Sequence, residues 1–494
     1  MRCSVSIAAL AILWAGASGA DTEVSSGREA IAGEALWELY GDAVALGRLV
    51  DLSGGVRSRA SGDLAARLYP DTAREPGPWF APFARLSISA DAASDYDRAY
   101  ARPGYLVWLA GGPSLSCEYQ QGRPCGDGAG LAFELDSAAG VSTWLTLGTR
   151  LRARPASTSQ GAGFDVDRAF VRFDLGPAFL QVGRDALSVG PGVRSEGMIS
   201  TNAAPLDGLQ LGLHPIALTP WLRASIFYTL DVLRDPQTFS GTLLDLSRLQ
   251  VDLFDHLQLG GSRILQLGGA GAPDYGGAWG FLNEHFGRST LQRNGGAENN
   301  RLALDAALRL PLFGARLYAE LTFEDTRSPF FNSAVYDADH LLGLELRAGL
   351  PGPLRRIFIE YLRTSRISQE HGTFTTGLTN AGRTLGSAEG PDALSLWLRA
   401  DLALGTAQVS PWCEWLRYSS DLYRVTDADG VSVIGLGPQE HRQRAGVDAR
   451  FDVLGLAFSG GLFAERIGGA GYRVGAPRYS AGGRLLVSWS PALP

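Results

Sequence analysis

From Leu302 to Glu324 the chain alternates with period two. Leu302, Leu304, Ala306, Leu308 and Leu310 interleave with Ala303, Asp305, Ala307 and Arg309. Pro311 to Gly314 make a turn. Ala315, Leu317, Ala319, Leu321 and Phe323 then interleave with Arg316, Tyr318, Glu320, Thr322 and Glu324. Successive strand side chains point to opposite faces, so this hairpin has one apolar face and one face of arginines and carboxylates. The same alternation runs through 83–90, 141–152, 169–175, 342–350, 356–362, 394–404 and 447–451. The polar faces there carry Arg168, Arg172, Asp174, Glu345, Arg347, Arg356, Glu360, Arg399, Asp401, Asp448, Arg450 and Asp452. An arginine against lipid at mid-membrane costs roughly 2–4 kcal/mol, so the charged face is assigned inward. The pattern predicts an all-β, transmembrane antiparallel barrel. Asp305, Arg309, Arg316, Glu320, Arg399 and Asp401 belong to the charge ladder of its lumen.

The links between strands fall into two kinds. Gly176-Pro177-Ala178, Pro311 to Gly314, Pro351-Gly352-Pro353 and Gly405-Thr406 are tight, whereas 184–206, 268–300, 325–340, 364–392 and 419–444 are long, polar and glycine-rich. Short turns at one rim and long loops at the other mark an outer-membrane barrel, with function expected on the loops. The N-terminal part reads differently. Met1 to Ala20 has an arginine, an apolar run and a small-residue end, the form of an export signal. Ile31, Ala35, Leu36, Leu39, Tyr40, Ala43, Leu46 and Val50 recur at helical spacing, and Ser61 can cap a second short helix. Pro70 to Pro82 reads as a linker. The expected organisation is a signal over 1–20, a small periplasmic helical region with its linker over 21–82, and the barrel over 83–494.

The formal charge of −7 argues against a nucleic-acid partner. Every basic residue is arginine, which suits bidentate pairing with carboxylates in a lumen, although a GC-rich genome accounts for most of that bias. Cys117 and Cys125 flank a polar, turn-forming stretch, and an exported chain meets an oxidising compartment, so a local disulfide is expected. Cys413, between Trp412 and Trp415, reads as a buried free thiol. The six histidines have no partner at metal-ligand spacing, and no Gly-x-Ser-x-Gly elbow occurs, so neither cofactor, metal site nor catalysis is expected.

Gln181-Val182-Gly183-Arg184, then Val189-Gly190-Pro191-Gly192, then Ile199-Ser200-Thr201-Asn202-Ala203-Ala204-Pro205-Leu206-Asp207-Gly208-Leu209 form an ordered set that resembles the capsule assembly Wzi family of outer-membrane proteins. The stretch from Asn299 to Asp325 resembles the family's central hairpin, and the N-terminal helix with Val56-Arg57-Ser58-Arg59 its periplasmic region. Val189 stands where the family's tryptophan is expected, and the final strand, ending Leu485 to Ser490, runs on to Pro494 without the terminal aromatic common in such barrels. The resemblance implies about 18 strands, an N-terminal helical bundle, infolded loops and a lectin-like role. It would then be a monomer that anchors capsular or other surface polysaccharide, with that glycan and outer-membrane lipid as its partners. A porin-like channel for small solutes is the alternative.

Gly190, Pro191, Gly192, Asn202 and Pro205 read as loop architecture first, since proline fixes φ and glycine permits positive φ. Asp274, Tyr275, Trp279, Phe281, Asn283 and Glu284 share one long loop. Their mixture suits a glycan, because sugar C–H faces stack on rings and hydroxyls need carboxylate and amide partners. Trp412, Trp415 and Tyr418 read as girdle or strand packing. Asp427-Ala428-Asp429-Gly430 reads as a turn rather than a calcium loop.

Overall fold

The computed structural model describes residues 79–94, 118–119, 128–140, 144–155, 162–273, 298–311, 314–324, 338–347, 350–365, 367–418, 423–427, 430–434, 439–470 and 474–489, with 29–31, 58–60, 277 and 334. In chain order the strands are β1 (Glu29–Ile31), β2 (Ser58–Ala60), β3 (Trp79–Ser94), β4 (Gly128–Gly140), β5 (Leu145–Arg154), β6 (Gly163–Leu175), β7 (Ala178–Asp185) and β8 (Leu206–Thr219). There follow β9 (Leu222–Val232), β10 (Leu243–Leu253), β11 (Leu257–Leu267), β12 (Glu298–Leu310), β13 (Ala315–Glu324), β14 (Ala338–Leu346), β15 (Leu354–Arg363) and β16 (Thr379–Asn380). The last are β17 (Arg383–Thr384), β18 (Ala393–Leu404), β19 (Ala407–Tyr418), β20 (Tyr423–Asp427), β21 (Gly430–Ile434), β22 (Glu440–Val453), β23 (Leu456–Gly468) and β24 (Arg478–Trp489).

Eighteen strands close into one antiparallel barrel, each paired with the next and β24 returning to β3. β1 with β2, β16 with β17, and β20 with β21 make separate two-stranded pairs. In the β12–β13 hairpin Asp305 faces Glu320 and Arg309 faces Arg316 across the ladder. Arg301, Arg309, Glu320 and Glu324 on that face are buried in the lumen, while Leu304, Leu308 and Leu317 on the other face are exposed. Leu342 and Leu462 expose 53% and 67% of their surface on the same outer wall. At the short-turn rim Trp144 stacks on Phe173, Trp221 on Phe254 and Phe451 on Phe458, with centroids 6.3, 5.6 and 5.0 Å apart. A closed barrel with an apolar band and an aromatic girdle is built to span a bilayer.

Several expectations change. The first barrel strand begins at Trp79, inside the stretch read as linker, and the β3–β4 register shifts between Ala81 and Arg85. Pro82 occupies that irregularity, where its missing N–H breaks no ladder bond. Cys413 is exposed on the outer wall rather than buried. It shares the parity of Trp415, whereas Glu414, Leu416 and Tyr418 on the alternate positions point into the lumen. Strands β8 to β11 were absent from the alternating segments. Their inward positions mix Phe227, Leu244, Leu246 and Ile264 with Thr229, Arg248, Gln250 and Asp252, so the contrast between the two faces is weaker where the apolar residues fall. Asp427 and Gly430 are register partners at a hairpin tip. Within the region expected to be helical, Glu29–Ile31 and Ser58–Ala60 instead pair as a short antiparallel ladder. The rest of that region up to residue 78, the export signal and the Cys117–Cys125 pair lie outside the described residues.

Candidate functional site

The loop 186–205, which follows β7, turns inward and lies in the lumen. Its backbone is pressed against β13 and β15. Gly190 has φ +135°, and a Cβ there would stand 2.5 Å from Glu320 Oε2. A Cβ on Gly192 would collide with the Ser195 carbonyl oxygen and lie 2.8 Å from Leu341 Cδ2. A Cβ on Gly197 would strike Thr322 and Glu320. The glycines and Pro191 therefore shape a loop that has no room for side chains on its wall side.

Wall carboxylates hold this loop by its amides. Glu360 accepts from Val193 N and Ser195 N, both at 2.8 Å, from Arg194 N at 3.3 Å, and from the Tyr318 hydroxyl at 2.7 Å. Glu320 accepts from Gly197 N at 2.7 Å and from Thr322 Oγ1 at 2.9 Å. Arg316 donates to the Pro191 carbonyl at 2.7 Å and to Glu345 at 2.6 Å. Ladder residues that look like mutual ion-pair partners in the sequence thus bind an infolded loop. Asp305 pairs instead with Arg248 at 2.7 Å, and Arg399 with Asp401 at 2.8 Å. Arg309 donates to the Asp255 carbonyl at 3.4 Å near the turn rim.

A second infolded segment, 364–392, locks onto the first. Asn202, fully buried, donates to Thr384 O at 3.0 Å and Thr384 Oγ1 at 2.9 Å, and accepts from Tyr119 N at 3.3 Å. Ser200 donates from its amide to Leu385 O and from its hydroxyl to Gly386 O. Asn380 donates to Ala204 O and Pro205 O at 2.8 and 3.3 Å. Arg301, with Glu324 and Asp339, anchors the start of this segment, where Asp339 accepts from Ser365 N and Ser368 Oγ. Between the loops and the wall lies an apolar cluster that includes Leu187, Val189, Met198, Leu244, Ile264 and Leu378.

Arg194 is the polar centre of the plug. It meets Glu414 at 2.5 Å, Glu118 at 3.0 Å and Glu389 at 3.6 Å, while Arg444 joins Glu118, Glu414 and Glu465 at 3.0, 2.8 and 2.6 Å. The Tyr119 hydroxyl donates to Glu389 at 2.6 Å. Burial, and after it the Glu389 carboxylate, raises the Tyr119 phenol well above its ordinary value. Burial likewise pushes the Glu389 carboxyl up, against the pull of Arg194. Such a network is costly to break at one member, since the partners stay buried.

At the outer mouth these loops form a ledge that faces outward. Segment 234–242 is tied to 371–384 through Arg234 N to Asn380 Oδ1 at 2.7 Å, Gln237 Nε2 to Thr379 O at 2.8 Å, and the Thr238 and Thr376 hydroxyls at 3.1 Å. Phe239 packs edge-on against Phe374 at 5.4 Å. Asp235, Ser240 and Thr375 are exposed. The base of the next long loop joins the ledge through Ala270 N to Ser240 O at 2.8 Å. Asp274, Tyr275, Trp279, Phe281, Asn283 and Glu284 lie beyond that base, outside the described residues. The ledge itself was not singled out from the sequence; the threonines clustered around Phe239 and Phe374 were its signal.

A family model described as capsule assembly protein Wzi matches residues 111–408. No curated protein matches the chain. Among solved structures, that of Escherichia coli Wzi, described as an outer membrane protein involved in group 1 capsule assembly and a carbohydrate-binding β-barrel, superposes with a TM-score of 0.65 at 14% identity. It covers 94% of this chain and 100% of its own. OccAB1 of Acinetobacter baumannii gives 0.45 at 9% identity over 82% and 95%, and OccK7 of Pseudomonas aeruginosa 0.39 at 11% over 84% and 99%.

Proposed function

Because the chain belongs to the capsule assembly Wzi family, we infer that it is a monomeric, non-catalytic outer-membrane lectin that retains an exported polysaccharide at the cell surface. The observation that carries this reading is the seating of the 186–205 loop on Glu320 and Glu360. It makes the barrel a rigid pedestal for its outer loops, and rigid presentation of loops favours binding over conduction. The glycan would lie on the ledge of Phe239, Gln237, Thr238 and Thr375. A half-buried ring offers a sugar its face, and hydroxyls and amides offer directional partners. Rings and neutral polar groups suit a neutral or an acidic glycan.

Deleting the gene is expected to shed polysaccharide into the medium without reducing its synthesis. Phe239→Ala with Thr375→Ala is expected to reproduce the shedding while the folded barrel still migrates fast on gels when unboiled. A deletion strain that keeps its cell-bound glycan and loses uptake of a small solute would overturn the reading.

A further inference from the structure

The outer wall of the barrel is uneven, and one side of it carries a basic row. Along the ladder, His340 pairs with Arg363, Arg363 with Leu394, Leu394 with Arg417, and Arg417 with His441. All five occupy outward positions, opposite in parity to the lumen residues Asp339, Leu362, Ala393, Leu416 and Glu440. Each lies within three residues of the long-loop end of its strand. With strands about 4.8 Å apart, the row runs about 19 Å across the wall.

The next outward row is Leu342, Tyr361, Leu396, Trp415, Gln443 and Arg466. The one after it is Leu344, Ile359, Leu398, Cys413, Ala445 and Ala464, entirely without charge. From the long-loop end inward, the wall thus passes from basic through aromatic to apolar. Arg417 lies over the Trp415 ring at 5.9 Å, and the His441 ring is 6.4 Å from it. Arg466 reaches Gln443 at 3.3 Å and is exposed. Among the described outward positions of β14, β15, β18, β19, β22 and β23 there is no Asp or Glu. The chain is nevertheless acidic at −7, so an outward face of arginine and histidine alone has been set apart from the general balance.

We propose that this row, together with Arg466 in the row below it, is a docking surface for the phosphorylated headgroup of an outer-leaflet glycolipid. Arg363, Arg417 and Arg466 would meet its phosphates, and its acyl chains would lie along the leucines below. Guanidinium forks match phosphate oxygens bidentately. Trp415 and Tyr361 stand where aromatic rings settle at a membrane interface. The inference rests on the outer-membrane placement but not on glycan binding.

The test is native mass spectrometry of the full-length protein in detergent, titrated with bisphosphorylated lipid A and with the same lipid lacking phosphates. Wild type is expected to retain the phosphorylated form at least about tenfold better, the value of one charge-assisted bond. The variant R363Q/R417Q/R466Q is expected to lose that preference, and R363K/R417K/R466K to recover part of it, both still showing the fast gel migration of a folded barrel. Millimolar inorganic phosphate should leave the lipid bound; its displacement would point to a free-anion site and overturn the proposal. Equal retention of the two lipids by wild type would overturn it as well. Cells carrying the glutamine variant should keep their surface polysaccharide, which separates this result from failure of the lectin reading.

Discussion

Two loop systems leave the same rim of this barrel and meet opposite fates. The 186–205 loop is buried, its amides accepted by Glu320 and Glu360 and its glycines crowded against the wall. The 234–242 segment stays at the mouth, tied by threonine, glutamine and asparagine bonds to 371–384, with Asp235, Ser240 and Thr375 open to solvent. Both are rich in small residues, but the buried loop adds Leu187, Val189, Met198 and Ile199 to the apolar cluster, whereas the ledge segment offers Phe239 alone. They differ also in where their backbone donors end. A loop whose amides are satisfied by wall carboxylates is architecture, and a loop satisfied by its neighbours leaves its outer side chains available for a ligand.

The largest expected effect follows from Glu360→Ala. It leaves three loop amides and the Tyr318 hydroxyl without their acceptor, a loss of about 3 kcal/mol or more. Thermal unfolding should shift down and limited proteolysis should cut within 186–205 before the barrel unfolds. Resistance equal to wild type would break the contrast between the loops.

Glycine substitutions sharpen it. Gly192→Ala drives a Cβ into the Ser195 carbonyl, which as backbone cannot step aside, and should cost about 1–3 kcal/mol. Gly372→Ala on the ledge meets nothing within 4 Å and should stay within about 0.5 kcal/mol. Differential scanning of the two variants compares them directly.

A smaller effect concerns pH. Burial, and after it the Glu389 carboxylate, holds the Tyr119 phenol well above its ordinary value near 10. A raised pKa means that its contribution is complete below that ordinary value and is lost only as pH climbs through the higher folded one. Tyrosinate absorbance should therefore show the Tyr119 phenol among those that fail to ionise near pH 10 in wild type but do so in the unfolded protein. In Tyr119→Phe that protected phenol should be missing.

Much of the barrel is legible in the sequence, for a physical reason that also marks where reading stops. Around Asp305 to Glu324 the inward face is charged and the outward face apolar, so period two is visible. Through Phe227, Leu244, Leu246 and Ile264 the inward face is apolar because it packs the infolded loops, and the contrast between the faces weakens where the plug sits. Glu360 and Glu320 could be placed on the lumen face, but not as acceptors for Ser195 and Gly197, which are 165 and 123 residues away in sequence. The crowding of Gly190, Gly192 and Gly197 was the one local sign that a backbone approaches a wall. Cys413 was misplaced because a thiol between two tryptophans suggests burial, whereas strand parity sends it outward with Trp415.

Single-channel recording in planar bilayers bears most directly on the proposal that the 186–205 loop, held on the wall carboxylates Glu320 and Glu360, closes the lumen to solutes. The wild-type barrel is predicted to insert without resolved conductance steps, and Glu320→Ala with Glu360→Ala to produce them. Steady porin-like steps from the wild-type protein would contradict the account.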